Sequence, residues 1–424
     1  MDTLKTLGID FGTSNSTCAV SDGTQATLIP LEDGKTTLAS AVFFGEEGDV
    51  FYGRAAMKAY IEGEEGRLMR GLKSVLGTAL MKEKTVINGR AKSFVDILAT
   101  FIRNLKTQAE AAAGQPIENV VIGRPVHFHE NNPEADDESQ AILEQIAQSI
   151  GFKNIVFQYE PIAAAFAHER RLETEQLSLV IDLGGGTSDF TVIRLSPERY
   201  LAQDRSQDIL ATSGVRVGGT NFDKRLSMTS FMPYLGLNSE FSSEFDKTKL
   251  LQVPPRVYDN LSDWPLVHFG QTDKAMRETR TTLRTALEPD KLHRLLKIQQ
   301  EKLGHAFLQH VERTKIDLTD TLNTTTSIND IGLDFDVQVS RDDFESAIAR
   351  YIQRIEDSMM ECITKAGITA ENIDLVILTG GSSELPIINH MVSEKFPNAQ
   401  ISEDNKFGSV GLGLAYNAGQ IFKA

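Results

Sequence analysis

Cysteine is scarce in this chain. Two cysteines, Cys18 and Cys362, stand among 424 residues, which excludes a disulfide framework and fits a reduced, cytoplasmic setting. Tryptophan occurs once, at Trp264. No apolar run approaches the roughly 20 residues needed to span a bilayer. The first apolar strand begins by about Thr6, which leaves no room for a signal peptide. Positive charge is short: 43 Lys and Arg face 59 Asp and Glu, for a net charge of −16 and a pI of about 5.0. Such a surface repels nucleic acid and anionic membranes, and neither is expected as a partner. Metal-ligand spacing is also missing. His127 and His129 alternate at a strand end, but no carboxylate or thiol is spaced to complete a site with them. What remains is a globular composition, 41% hydrophobic and 24% charged, on a chain long enough for two or more domains.

The chain is organised around residues 180–193. An apolar run, Leu179, Val180 and Ile181, enters Asp182; Gly184, Gly185, Gly186 and Thr187 follow; Asp189 opens a second apolar run from Phe190 to Leu195. This predicts a β-hairpin with the glycines at its tip. Glycine lets backbone N–H groups lie close against an anion. Asp182 and Asp189 bracket the tip with the hard oxygen ligands that Mg²⁺ takes, usually through waters. Residues 7–20 are a near copy: Asp10 matches Asp182, Gly12 matches Gly184, and Thr13 lies near Thr187 in the pattern. One Asp-x-Gly-x-x-Thr is weak evidence, because Asp and Gly open many ordinary turns. Its duplication, with strands on both sides each time, predicts two related halves facing one ligand.

Elsewhere the halves correspond too. Strand 120–122 ends in Gly123-Arg124-Pro125, and strand 375–378 ends in Thr379-Gly380-Gly381-Ser382. A small-residue helix follows Glu160-Pro161 in the first half, and another occupies 408–415 in the second. Small side chains let two such helices cross closely at a hinge. Further patterns predict a hairpin over 41–52, helical character over 54–77, an amphipathic helix over 93–113, and long helices over 290–317 and from Ser340 to about Lys365. Residues 233–290 are the least legible. Taken alone, Lys73 reads as a solvated surface lysine, Glu62, Glu64 and Glu65 as a solvated turn, and Arg277, Arg280 and Arg284 as one charged helix face. Glu160 is either a helix-terminus charge or a site carboxylate.

These motifs, in this order, resemble the actin-like ATPase superfamily, and within it the nucleotide-binding domain of the seventy-kilodalton heat-shock chaperones. Residues 8–16 are similar to that family's first phosphate loop and residues 182–189 to its second. Residues 71–77 look like the segment that holds its catalytic lysine, here Lys73. Glu160-Pro161 with the alanines after it is similar to the family's Glu-Pro-Thr-Ala-Ala-Ala, and Ala211 to Asp223 matches in kind. The resemblance implies an α/β actin-like ATPase fold: two lobes, each with a ribonuclease H-like mixed sheet, and nucleotide in the cleft between them. It implies lobe I at 1–178 (core 1–38 and 119–178, inserted subdomain 39–118) and lobe II at 179–424 (core 179–225 and 300–424, inserted subdomain about 226–335). ATP or ADP with Mg²⁺ is the implied ligand. Asp10 and Asp182 would hold the metal through waters. Lys73, Glu160, Asp182 and Asp189 would carry catalysis. Gly12, Thr13, Ser14, Asn15, Gly184, Gly185, Gly186, Thr187, Gly218, Gly219, Glu312, Lys315, Thr319, Gly380, Gly381 and Ser382 would hold nucleotide.

The resemblance is also to shortened bacterial homologues, the YegD-like proteins, with Gln158-Tyr159-Glu160-Pro161 and Phe407-Gly408-Ser409-Val410 as points of similarity. No apolar linker, client-binding sandwich or helical lid is expected after residue 424. Where family members sandwich adenine between two arginines, this chain carries Ile316 and Glu384. The expected activity is a monomeric, chaperone-type ATPase whose nucleotide state acts on a protein partner. A small-molecule kinase or phosphatase of the same superfamily, and an actin-like filament former, are the other readings.

Overall fold

The structure is a computed structural model. It describes residues 5–126, 128, 132–169, 172–199, 205–243, 246–264, 266–402 and 408–422. His127, His129 and Phe407 lie outside the described residues. The chain divides into two units: Met1–Gly218 with Arg354–Glu384 and Ile388–Ala424, and Gly219–Gln353 with Leu385–Ile387.

The first unit contains two sheets whose five main strands share one topology, the first sheet with Thr37–Ala39 also paired against Asn15–Ser21. In the first, Thr6–Phe11 pairs antiparallel with Asn15–Ser21, which pairs with Ala26–Leu28; on its other side Thr6–Phe11 runs parallel to Asn119–Arg124, and that strand to Asn154–Tyr159. In the second, Gln176–Leu183 pairs antiparallel with Ser188–Leu195, which pairs with Ile209–Val215; on its other side it runs parallel to Leu375–Thr379, and that strand to Gln400–Ser402. Three antiparallel strands followed by two parallel ones, twice, is the duplication the loop motifs predicted.

The central strands are apolar on both faces because both faces are covered. Phe11, Ile9 and Phe101 join one core beside the helix Phe94–Ala113. That helix begins on a capping box between Ser93 and Asp96 and ends at Gly114 in the left-handed region. Val121, Val180, Ile377 and the small-residue helices Glu160–Glu169 and Ser409–Ile421 form a second core. There a Cβ on Gly413 would lie 1.8 Å from the Ala163 carbonyl oxygen, and one on Gly8 would lie 2.3 Å from the Ala415 nitrogen. Only glycine permits such backbone contact. Both cysteines are buried and unpaired. Among the described residues, no helix is long and apolar enough to cross a membrane.

The second unit is mainly helical. Its core includes Phe231 edge-on to Phe307 at 5.9 Å and Tyr258, whose hydroxyl donates to the Leu235 carbonyl at 3.1 Å.

Two helix expectations are corrected. Over 54–77 the helix ends at Ile61, and Gly66–Arg70 is a strand paired with Ala41–Gly45. Gly63 at φ +80° breaks the periodicity, and Gly66 sits where a Cβ would lie 2.4 Å from the Phe44 carbonyl oxygen. Over 290–317 there are two helices, Pro289–Gln300 and Gly304–Asp320, separated by Lys302 at φ +54°. A Cβ on Gly304 would lie 2.4 Å from the Gln271 side-chain nitrogen, so tertiary packing selects that break.

Candidate active site

In each sheet the first two strands form a hairpin with a four-residue tip. Phe11 pairs with Ser16 around residues 12–15, and Leu183 pairs with Ser188 around residues 184–187. In this register Thr13 corresponds to Gly185 and Asn15 to Thr187. Asp10 stands opposite Thr17, whereas Asp182 stands opposite Asp189. The two tips approach each other closely. A Cβ on Gly185 would lie 2.0 Å from Ser14 Oγ, and one on Gly186 would lie 3.8 Å from Thr13 Cγ2.

Each tip is braced from behind. Ser40 Oγ donates to the Gly12 carbonyl at 2.7 Å, and Ser40 N donates to the Ser14 carbonyl at 2.8 Å. In the second tip Gly184 N donates to the Thr187 carbonyl at 2.9 Å, and Ser382 Oγ donates to the Gly184 carbonyl at 3.1 Å. Gly218 lies against the second tip, where a Cβ would be 2.6 Å from the Gly185 carbonyl carbon. Gly380, at φ +80°, passes so close that its Cβ would be 2.7 Å from Asp182 Oδ1. Sequence reasoning missed Ser40. It lies between two short strands with no motif around it, and only the fold brings it to the first tip.

Charged side chains gather at the base of the hairpins. Lys73, which local sequence placed in solvent, is only 12% exposed at its side chain, and its Nζ donates to Glu160 Oε1 at 2.7 Å. Glu160 is 8% exposed at its side chain, so it is a buried partner of Lys73 and not a solvated charge. Gly123 makes room for it, since a Cβ there would lie 3.1 Å from Glu160 Cγ. Asp10, Asp182 and Asp189 interact electrostatically with this pair.

The cluster holds four carboxylates and one ammonium, and the imbalance shows in proton affinity. Burial, then Glu160 and Asp182, push Asp10 up to about 8 against the pull of Lys73. Burial and then Glu160 push Asp182 up to about 7. Burial, Asp182 and Glu160 push Asp189 up to about 8, opposed by a hydrogen bond from Thr187 and by Lys73. Burial alone would lower Lys73, but Glu160 and Asp10 outweigh it and raise its proton affinity.

A cluster this rich in hard, anionic oxygens and this short of positive charge suits a divalent cation of the magnesium type. Among the described residues no three His, Cys, Asp or Glu are spaced to grip a metal directly.

The remaining predicted residues fall in two places. Gly381 and Ser382 lie with Gly380 in the first unit, in the turn after Leu375–Thr379. Gly219, Glu312, Lys315 and Thr319 belong to the second unit, the last three on the helix Gly304–Asp320. Lys315 Nζ pairs with the buried Asp223 at 2.6 Å, and Glu312 acts on the same carboxylate. Trp264 Nε1 donates to Asp223 at 3.4 Å. Asp223 is thus a second residue that sequence reasoning gave no role. Ile316 is 57% exposed on its helix, and Glu384 is exposed at the end of its turn. A family model described as Hsp70 protein matches residues 6–244 and 290–422.

Proposed function

The chain belongs to the Hsp70 family, a family of nucleotide-binding, chaperone-type ATPases with the actin-like fold, and from that premise we propose that it hydrolyses ATP to ADP and phosphate between its two hairpin tips. The observation that carries this reading is the approach of the tips, Ser14 against Gly185, above a buried cluster of four carboxylates and one lysine. Phosphoryl transfer asks a protein mainly to position the reactants and to neutralise charge. In this reading Thr13, Ser14 and Asn15 hold the β- and γ-phosphates from one side, and Gly185, Gly186 and Thr187 hold them from the other.

Asp10 and Asp182 would hold Mg²⁺ through waters, and the ion would supply charge withdrawal at the phosphate oxygens. Lys73, fixed by Glu160, sets a positive charge against the transferring group. Asp189 orients the attacking water and, in its ionised form, accepts its proton. Glu160 already accepts the Lys73 hydrogen bond and serves to position that lysine. The lobes proposed at 1–178 and 179–424 open and close about the crossing of helices Glu160–Glu169 and Ser409–Ile421, where Gly413 meets Ala163. Closure acts on a protein partner, in a monomer working in the cytoplasm. The buried, unpaired cysteines support that compartment.

Ile316 and Glu384 carry no guanidinium to stack on a base, so base discrimination is weak in this reading. The deciding experiment measures phosphate release from ATP and from GTP, with and without Mg²⁺ and without any added acceptor. Release from both that requires Mg²⁺ supports the reading. No release from either refutes it.

A further inference from the structure

Residues 245–289 lie between the two stretches matched by the family model. This insert holds four of the eight large apolar side chains left exposed among the described residues: Leu250, Leu251, Phe269 and Leu287. It also escapes the acidity of the rest of the chain, with seven Lys and Arg against six Asp and Glu on a protein of net charge −16.

Strand Leu250–Gln252 is the outer member of a hairpin with Glu240–Ser242. Ser243 N donates to the Lys249 carbonyl at 2.9 Å and Val253 N to the Ser239 carbonyl at 3.0 Å, which frames Phe241 and Leu251 as a hydrogen-bonded pair. The antiparallel alternation then turns the N–H and C=O groups of Leu250 and Gln252 away from the hairpin. No described strand pairs with that edge. The far side of Glu240–Ser242 is already taken: Ser242 N donates to the Thr285 carbonyl and Leu287 N to the Glu240 carbonyl, both at 2.9 Å. The small sheet therefore has one open edge.

Charge says what suits that edge. Lys247, Lys249 and Arg256 are exposed, and none has an acidic partner among the described residues. Nearby acids are engaged locally. Asp246 accepts from Thr248 N at 3.0 Å and from Thr248 Oγ1 at 2.6 Å, while Asp259 and Asp263 pair with Lys224 at 3.0 and 3.1 Å. Glu240, opposite Gln252, is the one acid on the neighbouring strand. Flanking lysines and the following Pro254-Pro255 oppose pairing with a second, identical edge. They favour a strand of the opposite charge.

We propose that the edge Leu250–Gln252 accepts an extended segment of a partner protein, alternating acidic and apolar, as an added strand. Its backbone would bond the outward groups of Leu250 and Gln252, its apolar residues would cover Leu250 on one face of the sheet, and its carboxylates, on the opposite face that carries Lys249 and Leu251, would meet Lys249 and its neighbours Lys247 and Arg256. This goes beyond the nucleotide reading and does not depend on it. Binding is measured without nucleotide, so failure here leaves the phosphate site untouched.

The test uses a labelled heptapeptide of alternating glutamate and valine, with fluorescence anisotropy as the readout. Saturable binding that weakens with salt is expected. Gln252→Pro removes one outward N–H and leaves the bond from Val253 to Ser239 in place, and it should weaken binding about fivefold or more. Lys247→Glu with Lys249→Glu alters no backbone and should weaken binding at least about tenfold. Circular dichroism and melting confirm that each variant is folded. The proposal is overturned if the peptide does not bind, if a lysine–valine peptide binds as well, or if both variants bind like the parent. It is also overturned if sedimentation shows the edge occupied by a second copy of the chain.

Discussion

Replacing Lys73 by alanine removes the only cation from a cluster of four carboxylates. At 2.7 Å, and with an effective dielectric of about 20, its attraction to Glu160 is about 6 kcal/mol. Both side chains are mostly buried, so the cost of dehydrating them offsets much of that attraction. Breaking one partner of such a pair typically destabilises a fold by about 3–5 kcal/mol. Here a raised carboxylate can take up a proton near neutral pH and soften the loss, so the low end applies at pH 6 and the high end at pH 8.5. Urea denaturation of both proteins at the two pH values measures this directly.

Catalysis is the second readout. Removing one preorganised electrostatic contact to the transition state costs about 10²–10³ in rate, so Lys73→Ala should lose most of its ATP turnover. Nucleotide affinity should change little, because the interaction is made chiefly in the transition state. Mg²⁺ affinity without nucleotide should stay the same or rise, since the carboxylates are left with less positive charge. Turnover equal to that of the parent protein would refute the role of Lys73. Loss of stability without any change with pH would refute the account of the charged cluster.

Other outcomes follow from the same geometry. Asp10, Asp182 and Asp189 hold protons in the folded state that the unfolded chain releases above about pH 4. Without metal, stability should therefore fall as pH rises from about 4 to about 8 and then level off. Mg²⁺ affinity should increase over that range, with proton release on binding at pH 7; calorimetry in buffers of different ionisation enthalpy reads both. Gly413→Ala drives a Cβ to within 1.8 Å of the Ala163 carbonyl oxygen and should cost at least about 3 kcal/mol in urea denaturation. Cys362, whose thiol burial pushes up to about 11, and the fully buried Cys18 should both resist a thiol reagent until the protein unfolds.

Much was legible because it is local. An apolar strand, an aspartate and a glycine tip form a hairpin almost regardless of what surrounds them, so residues 10–17 and 182–189 could be read directly and their duplication recognised. Small residues over 161–167 and 408–415 likewise announced a close helix crossing before any partner was visible. Only the tertiary structure decided the environment of Lys73. Its partner Glu160 is 87 residues away, and burial arises from packing between distant segments, not from neighbouring residues. The same holds for Ser40 behind the first tip, for Asp223 beside Lys315, and for the strand Gly66–Arg70, which pairing with Ala41–Gly45 draws out of a helical pattern. Short-range patterns set which elements form. Proton affinities and charge pairing depend on solvent exclusion by the folded whole, and no local stretch of this chain carries that information.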